Sequence, residues 1–211
     1  MTHHFPAAEK AVWLTIDDGP VGDATRQLSA ALRERGVPAT FFVIASRLRA
    51  DPCVAALLQR DGHTLANHSA SHPRKSFWCS PRQVVQREVD EGINALREVG
   101  VTSPWFRPPV GHKPPALHSV LRSGGLRLIS WDAGGRDGWS PDPESTVERV
   151  QANVTAGSIL LLHEGRAHSH TTILAVVDSL LGLGYRFIIP DSTLLSQTPP
   201  ARIMAEAASP C

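Results

Sequence analysis

Short apolar runs alternate with helical patterns along most of the chain, and this feature constrains the fold more than any other. Several of the runs are continuously apolar, as expected of parallel strands that are covered on both faces. The predicted strands cover residues 12–16, 40–44, 64–67, 105–107, 126–131, 158–162 and 186–189. Strands that alternate with helices predict a parallel α/β fold, either an open doubly wound sheet or a barrel. Seven strands are one short of the familiar eight-stranded barrel, which favours a distorted or incomplete barrel.

The segments between the strands carry the start and stop signals of helices. Residues 24–35 show one apolar face and end at Gly36, a good C-terminal stop. Two helices are predicted to begin where an N-cap residue precedes a proline, at Asp51-Pro52 and at Ser80-Pro81. The remaining predicted helices cover residues 115–123, 143–156 and 171–183.

The composition is that of an ordinary globular protein, with 42% hydrophobic and 19% charged residues. A length of 211 residues suits one domain over 1–211, with its core at about 12–190 and a loose tail at about 197–211. The net charge of +1 gives no bulk attraction to nucleic acid or to an anionic membrane. No apolar run approaches the roughly 20 residues that a membrane-spanning helix needs.

Cysteine usage and the N-terminal segment together predict a cytoplasmic location. Cys53, Cys79 and Cys211 are an odd number with no C-x-x-C pairing, which argues against a disulfide framework. The first residues show no basic segment followed by an apolar stretch, so no secretory signal is visible.

Chemically active side chains follow five of the predicted strands, at the carboxyl ends where functional residues of α/β folds gather. The adjacent acids Asp17 and Asp18 follow the first strand, where one carboxylate can bind a metal while the other faces a substrate. His68 and His72 follow the third strand, with a spacing that lets both imidazoles reach one ion. Two imidazoles and a carboxylate, with positions open to water, suit zinc or a related divalent ion.

Three further segments lie at strand ends, namely the run 107–111, the glycine-rich loop 131–139 and His163. Arg107 can clamp an acid, and the acids of the loop can orient a histidine. Each segment alone also fits a structural reading, such as a surface turn or a satisfied core histidine. Five segments at one edge of the predicted sheet are not independent accidents, and together they favour a catalytic site.

These motifs resemble those of the polysaccharide deacetylase family, also called the NodB-homology domain or carbohydrate esterase family 4. Five segments match in order, namely TIDDGP at 15–20, HSASH at 68–72, RPPVG at 107–111, WDAGGRDGW at 131–139 and LLLH at 160–163. The first two motifs together are specific, and the match covers nearly the whole chain. The resemblance implies a distorted seven-stranded (β/α) barrel of the NodB-homology type.

The resemblance also implies a metal site and a general base. Asp18, His68 and His72 would bind the metal, which in such proteins is usually zinc, although cobalt or nickel can serve. Asp17 would be the general base and Arg107 would pair with it. A metal-bound carboxylate cannot easily act as the base as well, which is a physical reason for two adjacent acids.

His163 would be the general acid, because an amine leaves poorly unless it is protonated. The resemblance implies Asp137 as the residue that orients it. Gly138 separates Asp137 from Trp139 here, whereas the family normally has the acid and the tryptophan adjacent. Either Asp137 or Asp132 therefore stays a candidate partner of His163.

Substrate recognition is expected to differ from the family's pattern. Val110 stands where the family has an aromatic residue, so its backbone N–H remains the candidate oxyanion donor while the pocket wall changes. Tryptophan faces suit sugar rings. The candidate oxyanion and substrate-binding residues are Val110, Pro109, Trp139, Trp78 and Asp132.

The predicted activity is removal of an N-acetyl group from an amino sugar, or from a glycan or glycoconjugate that contains one. A substrate made inside the cell fits the absence of a visible export signal, and a lipid-linked one would place the enzyme at a membrane surface. Two alternatives stay open, namely a deformylase or non-sugar amidase on the same fold, and a metal-free carbohydrate-binding derivative. The sequence leaves the oligomeric state open.

Overall fold

Parallel strands form one sheet whose carboxyl-terminal edge carries the predicted motifs. In the computed structural model, which describes residues 1–7, 9–139, 142–191 and 195, the strands are β1 (Ala11–Gly19), β2 (Ala39–Val43), β3 (Thr64–Asn67), β4 (Trp105–Phe106), β5 (Arg127–Leu128), β6 (Ala133–Gly134), β7 (Ile159–His163) and β8 (Arg186–Phe187). Their order in the sheet is β5-β4-β3-β2-β1-β7-β6, and β8 pairs with β1. All the strand pairs are parallel.

All seven predicted strands are present, and the prediction of a distorted (β/α) barrel is confirmed. The sheet has one strand more than predicted, because β6 pairs with β7 inside the glycine-rich loop 131–139. Two residues are too few to show the period-2 pattern of a strand. The predicted tail at 197–211 lies outside the described residues.

Seven α-helices lie in the described part of the chain, namely α1 (Asp23–Glu34), α2 (Ala45–Ala50), α3 (Cys53–Arg60), α4 (Arg82–Glu98), α5 (Leu117–Ser123), α6 (Pro143–Asn153) and α7 (Ser169–Gly182). The short helix α2 was not predicted, because six residues scarcely show a helical period. The expected side-chain caps of α3 and α4 are wrong, since Asp51 binds Arg26 and the Ser80 hydroxyl donates to the carbonyl of Ser76. None of the described helices is long and apolar enough to cross a bilayer.

The two faces of β1 show how the sheet separates its core from its site. Val12, Leu14 and Ile16 pack in a large apolar cluster with residues of the surrounding helices. Alternate residues point the other way, where Trp13 packs in a second, smaller cluster inside the barrel. Asp17 lies on that inner face at the carboxyl end of the strand. The alternation of β1 therefore directs this carboxylate into the mouth of the barrel.

Candidate metal-dependent active site

Both acids of the first motif face one cavity, because the strand that carries them is bulged. The pairing of β1 with β2 shifts register between Asp17 and Gly19, and Asp18 has a φ of 71°. A positive φ is uncommon for a residue other than glycine and typical of bulges and functional turns. The alternation expected of an extended chain is lost here, and both carboxylates line the cavity.

The loop that carries His68 and His72 is held by a carboxylate from a neighbouring helix. Glu88, which is buried on α4, accepts hydrogen bonds from the amides of Ala70 and Ser71 at 3.0 and 2.9 Å. Its other oxygen accepts from the Ser71 hydroxyl at 2.7 Å. These bonds satisfy backbone groups that the tight loop leaves without a ladder partner. Glu88 therefore helps to fix the positions of both imidazoles.

Asn67 connects the end of β3 to the same helix. Its amide nitrogen donates to the carbonyl of Val89 at 2.9 Å, and its amide oxygen accepts from the N–H of Ser69 at 2.8 Å. Gly92 makes room for this side chain, since a Cβ at that position would lie 2.0 Å from the Asn67 oxygen. The helix can approach the strand closely only because residue 92 has no side chain.

The three predicted ligands come together at the mouth of the barrel. One candidate ligand atom from each of Asp18, His68 and His72 lies within 4.8 Å of the other two. The Nε2 atoms of His72 and His68 lie 3.2 and 3.5 Å from Asp18 Oδ1. This oxygen is buried and has no hydrogen-bond partner among the described residues, which is costly unless a cation is bound. The residues present therefore fit a divalent metal ion.

The protonation states around the cluster also suit a metal. His68 Nδ1 donates to the carbonyl of Arg107 at 2.8 Å, which turns Nε2 toward the cluster. Burial, and then the neighbouring His68 charge, lower the pKa of His72 to about 4, so its imidazole is neutral near pH 7. Burial alone would raise the pKa of Asp18, but His68 and then His72 hold it below the ordinary value. A neutral imidazole and an ionised carboxylate are the forms that bind metal.

Asp17 is held by a fully buried guanidinium. Arg107 donates to Asp17 Oδ1 at 2.8 Å and to the Thr15 hydroxyl at 2.7 Å. Burial is the main cause that lowers the pKa of Arg107, while the charge of Asp17 opposes it. The other carboxylate oxygen, Oδ2, lies 3.6 Å from His68 Nε2. One oxygen of Asp17 is thus bound to arginine, and the other faces the ligand cluster.

His163 lies beside Asp17 on the neighbouring strand, and the two residues are register partners of β7 and β1. Asp137 Oδ1 lies 3.0 Å from His163 Nδ1, and Oδ2 accepts from the backbone N–H of His163 at 2.6 Å. Burial alone would lower the pKa of His163, but the hydrogen bond and charge of Asp137 raise it. A raised pKa favours the protonated imidazole, which is the form that a general acid requires.

The structure distinguishes the two acids of the glycine-rich loop. Asp137 contacts His163, whereas the Asp132 carboxylate lies 2.7 Å from His4 Nδ1 and accepts from the N–H of Ile159 at 2.8 Å. Asp132 still lines the cavity, but it also ties the loop to the N-terminal segment and to β7. Of the two acids, only Asp137 is placed to orient His163.

The predicted substrate-binding residues are divided between the cavity and its surroundings. The cavity has a volume of about 410 Å³, and Val110, Trp139 and Asp132 line it. Trp139 is 81% exposed at its edge, and Val110 has a φ of 55°. Pro109 is buried and does not line the cavity. The structure does not bring Trp78, which is 59% exposed in a short 3-10 helix, to the cavity lining either. The position of Trp78 therefore gives no support to sugar stacking there.

Three arginines, Arg74, Arg136 and Arg166, line the cavity, and Arg166 lies 3.4 Å from Asp18 Oδ2. Arg74 lies in the segment 74–78, which directly follows the two histidines, so its sequence position allows either a cleft-lining cation for a substrate phosphate or carboxylate or a solvated loop residue. Sequence reasoning missed Arg136 and Arg166, because nothing in their spacing distinguishes them from solvated loop residues. Glu88 left a clearer signal, because a charged residue among the apolar positions of a buried helical stripe needs partners.

The chain is similar in sequence to one known family and to several of its members. A family model described as polysaccharide deacetylase matches residues 5–129. A peptidoglycan-N-acetylglucosamine deacetylase of Bacillus cereus is 31% identical over 193 residues, which cover 89% of this chain and 90% of that protein. A chitooligosaccharide deacetylase of Sinorhizobium fredii is 36% identical over 159 residues, or 74% of this chain and 72% of that one.

A solved structure extends the likeness to three dimensions. The family 4 carbohydrate esterase from Streptomyces lividans in complex with acetate superposes with a TM-score of 0.80 at 27% identity. The match covers 90% of this chain and 97% of that one. Sequence and fold therefore point to the same family across most of the chain.

Proposed function

The chain belongs to the polysaccharide deacetylase family, and we propose that it hydrolyses the N-acetyl amide of an amino sugar within a glycan or glycoconjugate. It is a metal-dependent hydrolase of carbon–nitrogen amide bonds. The observation that carries the proposal is the cluster of Asp18, His68 and His72, with Asp17 and His163 beside it.

Zinc is the proposed metal, held by Asp18 and the Nε2 atoms of His68 and His72. Two imidazoles, one carboxylate and open positions form a ligand set that zinc favours in hydrolases, and cobalt or nickel would also fit. Such a cation supplies Lewis acidity, which makes water more acidic and an acyl carbonyl more electrophilic. The neutral His72 and the unpartnered Asp18 oxygen support this assignment.

Asp17 is the proposed general base. Its Oδ2 faces the cluster and is free to accept a proton from the attacking water, while Oδ1 is bound to Arg107. The guanidinium supplies the compensating charge that a buried carboxylate needs. It also fixes the carboxylate plane, because its other nitrogens donate to the carbonyls of Ile129 and Ser130.

His163 is the proposed general acid. Adjacent parallel strands place its side chain on the same inner face as Asp17, one strand away. A substrate carbonyl between them would have the proton acceptor on one side and the proton donor on the other. Protonation of the departing nitrogen by His163 makes it an amine that can leave. The backbone N–H of Val110 is the proposed donor to the oxyanion, and Trp139 the proposed sugar platform.

The decisive experiment separates metal binding from proton transfer. We expect His72→Ala to lose the stoichiometric divalent metal and all activity. Asp17→Asn should retain the metal, because Asp17 is not a ligand, yet lose roughly 100- to 10,000-fold in turnover, the usual worth of a general base. Metal content is measured by elemental analysis, and acetate release is measured on chito-oligosaccharides. Release of the ion by Asp17→Asn with turnover intact would reverse the two roles.

Substrate panels separate the proposal from its alternatives. Release of formate, or hydrolysis of small amides in preference to acetylated sugars, would indicate a deformylase or a non-sugar amidase. Absence of a bound divalent metal and of chelator-sensitive activity would indicate a carbohydrate-binding derivative. The cytoplasmic location, with peripheral membrane association if the substrate is lipid-linked, stays a prediction that cell fractionation would test.

A further inference from the structure

The cavity carries more positive charge than the proposed chemistry needs. Arg74, Arg136 and Arg166 reach it from three separate loops, which follow β3, β6 and β7. None of the three is a candidate ligand, base or acid. Arginine forms bidentate hydrogen bonds with carboxylate and phosphate groups, so converging arginines in a substrate cavity indicate an anionic ligand.

The acids that line the cavity already have side-chain partners or a place in the metal cluster. The pairs are Asp17 with Arg107 at 2.8 Å, Asp137 with His163 at 3.0 Å, Asp132 with His4 at 2.7 Å, and Asp18 with the ligand histidines and, at 3.4 Å, Arg166. Arg74 and Arg136, by contrast, form no ion pair within residues 1–7, 9–139, 142–191 and 195. Their charges are available to a ligand.

The two unpaired arginines are anchored close to the reacting centre. Arg74 follows the ligand His72 by two residues, and both residues line the same cavity. Arg136 precedes Asp137, the partner of His163, and has a left-handed φ of 59° in a turn closed by a hydrogen bond from the Trp139 N–H. One arginine thus lies beside the metal cluster and the other beside the acid.

We propose that the preferred substrate is an amino sugar that carries an oxyanion, a carboxylate or a phosphate, near its acetamido group, and that Arg74 and Arg136 bind this group. The inference rests on the proposed deacetylase function and names its substrate class. The oxyanion would lie in the part of the cavity between the loops that follow β3 and β6. Both side chains are exposed, so their contribution should weaken as salt is added.

Binding tests the inference independently of turnover. In the Asp17→Asn background, dissociation constants are measured by calorimetry for a neutral chito-oligosaccharide and for two ligands of equal length. One ligand carries a lactyl carboxylate and the other carries a 6-phosphate. We expect tighter binding of at least one acidic ligand, by about fivefold to fiftyfold at low salt, as one or two guanidinium–oxyanion contacts allow. Whichever acid binds better identifies the oxyanion.

The double variant Arg74→Gln/Arg136→Gln should remove most of the preference for the acidic ligand, while Arg122→Gln on α5, away from the cavity, should not. Equal affinity for neutral and acidic ligands, or a preference unaffected by the double variant, would overturn the inference. Acetate release by the wild-type enzyme is measured separately on all three ligands. No release from any of them would contradict the deacetylase function, whereas equal affinities with turnover intact would contradict only the substrate class.

Discussion

Substitution of Asp137 by asparagine should move the alkaline limb of the pH–activity profile to lower pH. The pKa of His163 is raised because Asp137 outweighs the effect of burial. A general acid works in its protonated form, so activity is full below this pKa and falls as the pH rises through it. Removing the charge lowers the pKa and brings the fall to lower pH.

The magnitude follows from the contacts of the carboxylate. Asp137 is 3% exposed and accepts with both oxygens, from the ring and from the backbone N–H of His163. Asparagine has one acceptor oxygen, so it can replace only one of these bonds. The difference between a charged and a neutral hydrogen bond is about 1–1.5 kcal/mol, and complete loss of the charged hydrogen bond costs about twice that. At about 1.4 kcal/mol per pKa unit, the limb should move by roughly 1 to 2 units.

The assay is kcat/KM on one oligosaccharide from about pH 5 to 10, with the wild-type enzyme, Asp137→Asn and Asp132→Asn. Asp132 is the matched control, because it belongs to the same loop and lines the same cavity but contacts His4 and not His163. Asp132→Asn should leave the alkaline limb in place. An unmoved limb in Asp137→Asn, or an equal movement in both variants, would refute the assignment of Asp137 as the partner of the acid.

The helix behind the histidine loop gives two further predictions. Glu88→Ala leaves the amides of Ala70 and Ser71 without their acceptor. The affinity for a divalent metal ion, measured by competition with a chelator, should therefore fall about 10- to 100-fold, as it does when other residues that support metal ligands are lost. Glu88→Gln keeps an acceptor oxygen and should lose less of this affinity, and equal losses in the two variants would contradict this role. Gly92→Ala places a Cβ 2.0 Å from the Asn67 oxygen, and this overlap should lower the free energy of unfolding in urea by about 1–3 kcal/mol. Unchanged stability would show that Asn67 moves aside freely.

Much of the fold could be predicted because the sheet is parallel and buried. Continuous apolar runs reveal such strands directly, and the strands of residues 64–67 and 159–163 lie within a residue of their predicted bounds. The edge elements were harder, since β6 has two residues and shows no period. The helix α2 follows β2 after a single residue, which leaves no loop signal between them.

The site could be anticipated as a set of residue types at strand ends, but not as a geometry. The sequence left the choice between Asp132 and Asp137 open, because both lie in one loop at similar separations from His163. Only the path of the chain through β6 settles which carboxylate contacts the ring. The bulge at Asp18 was equally hidden, because it depends on the register of β1 with β2. The charge of the cavity rim emerges only when loops distant in sequence come together.

The register pairing of Asp17 with His163 has a consequence for how such an enzyme can change. Adjacent strands lie about 4.8 Å apart, so the spacing of the two proton carriers is inherited from the backbone ladder. The arginines and the tryptophan at the rim belong instead to separate loops. Substitutions of these rim side chains can change which glycan enters without changing the distance between Asp17 and His163. In this architecture the backbone sets the spacing of the proton carriers, and the side chains of the rim set the selectivity.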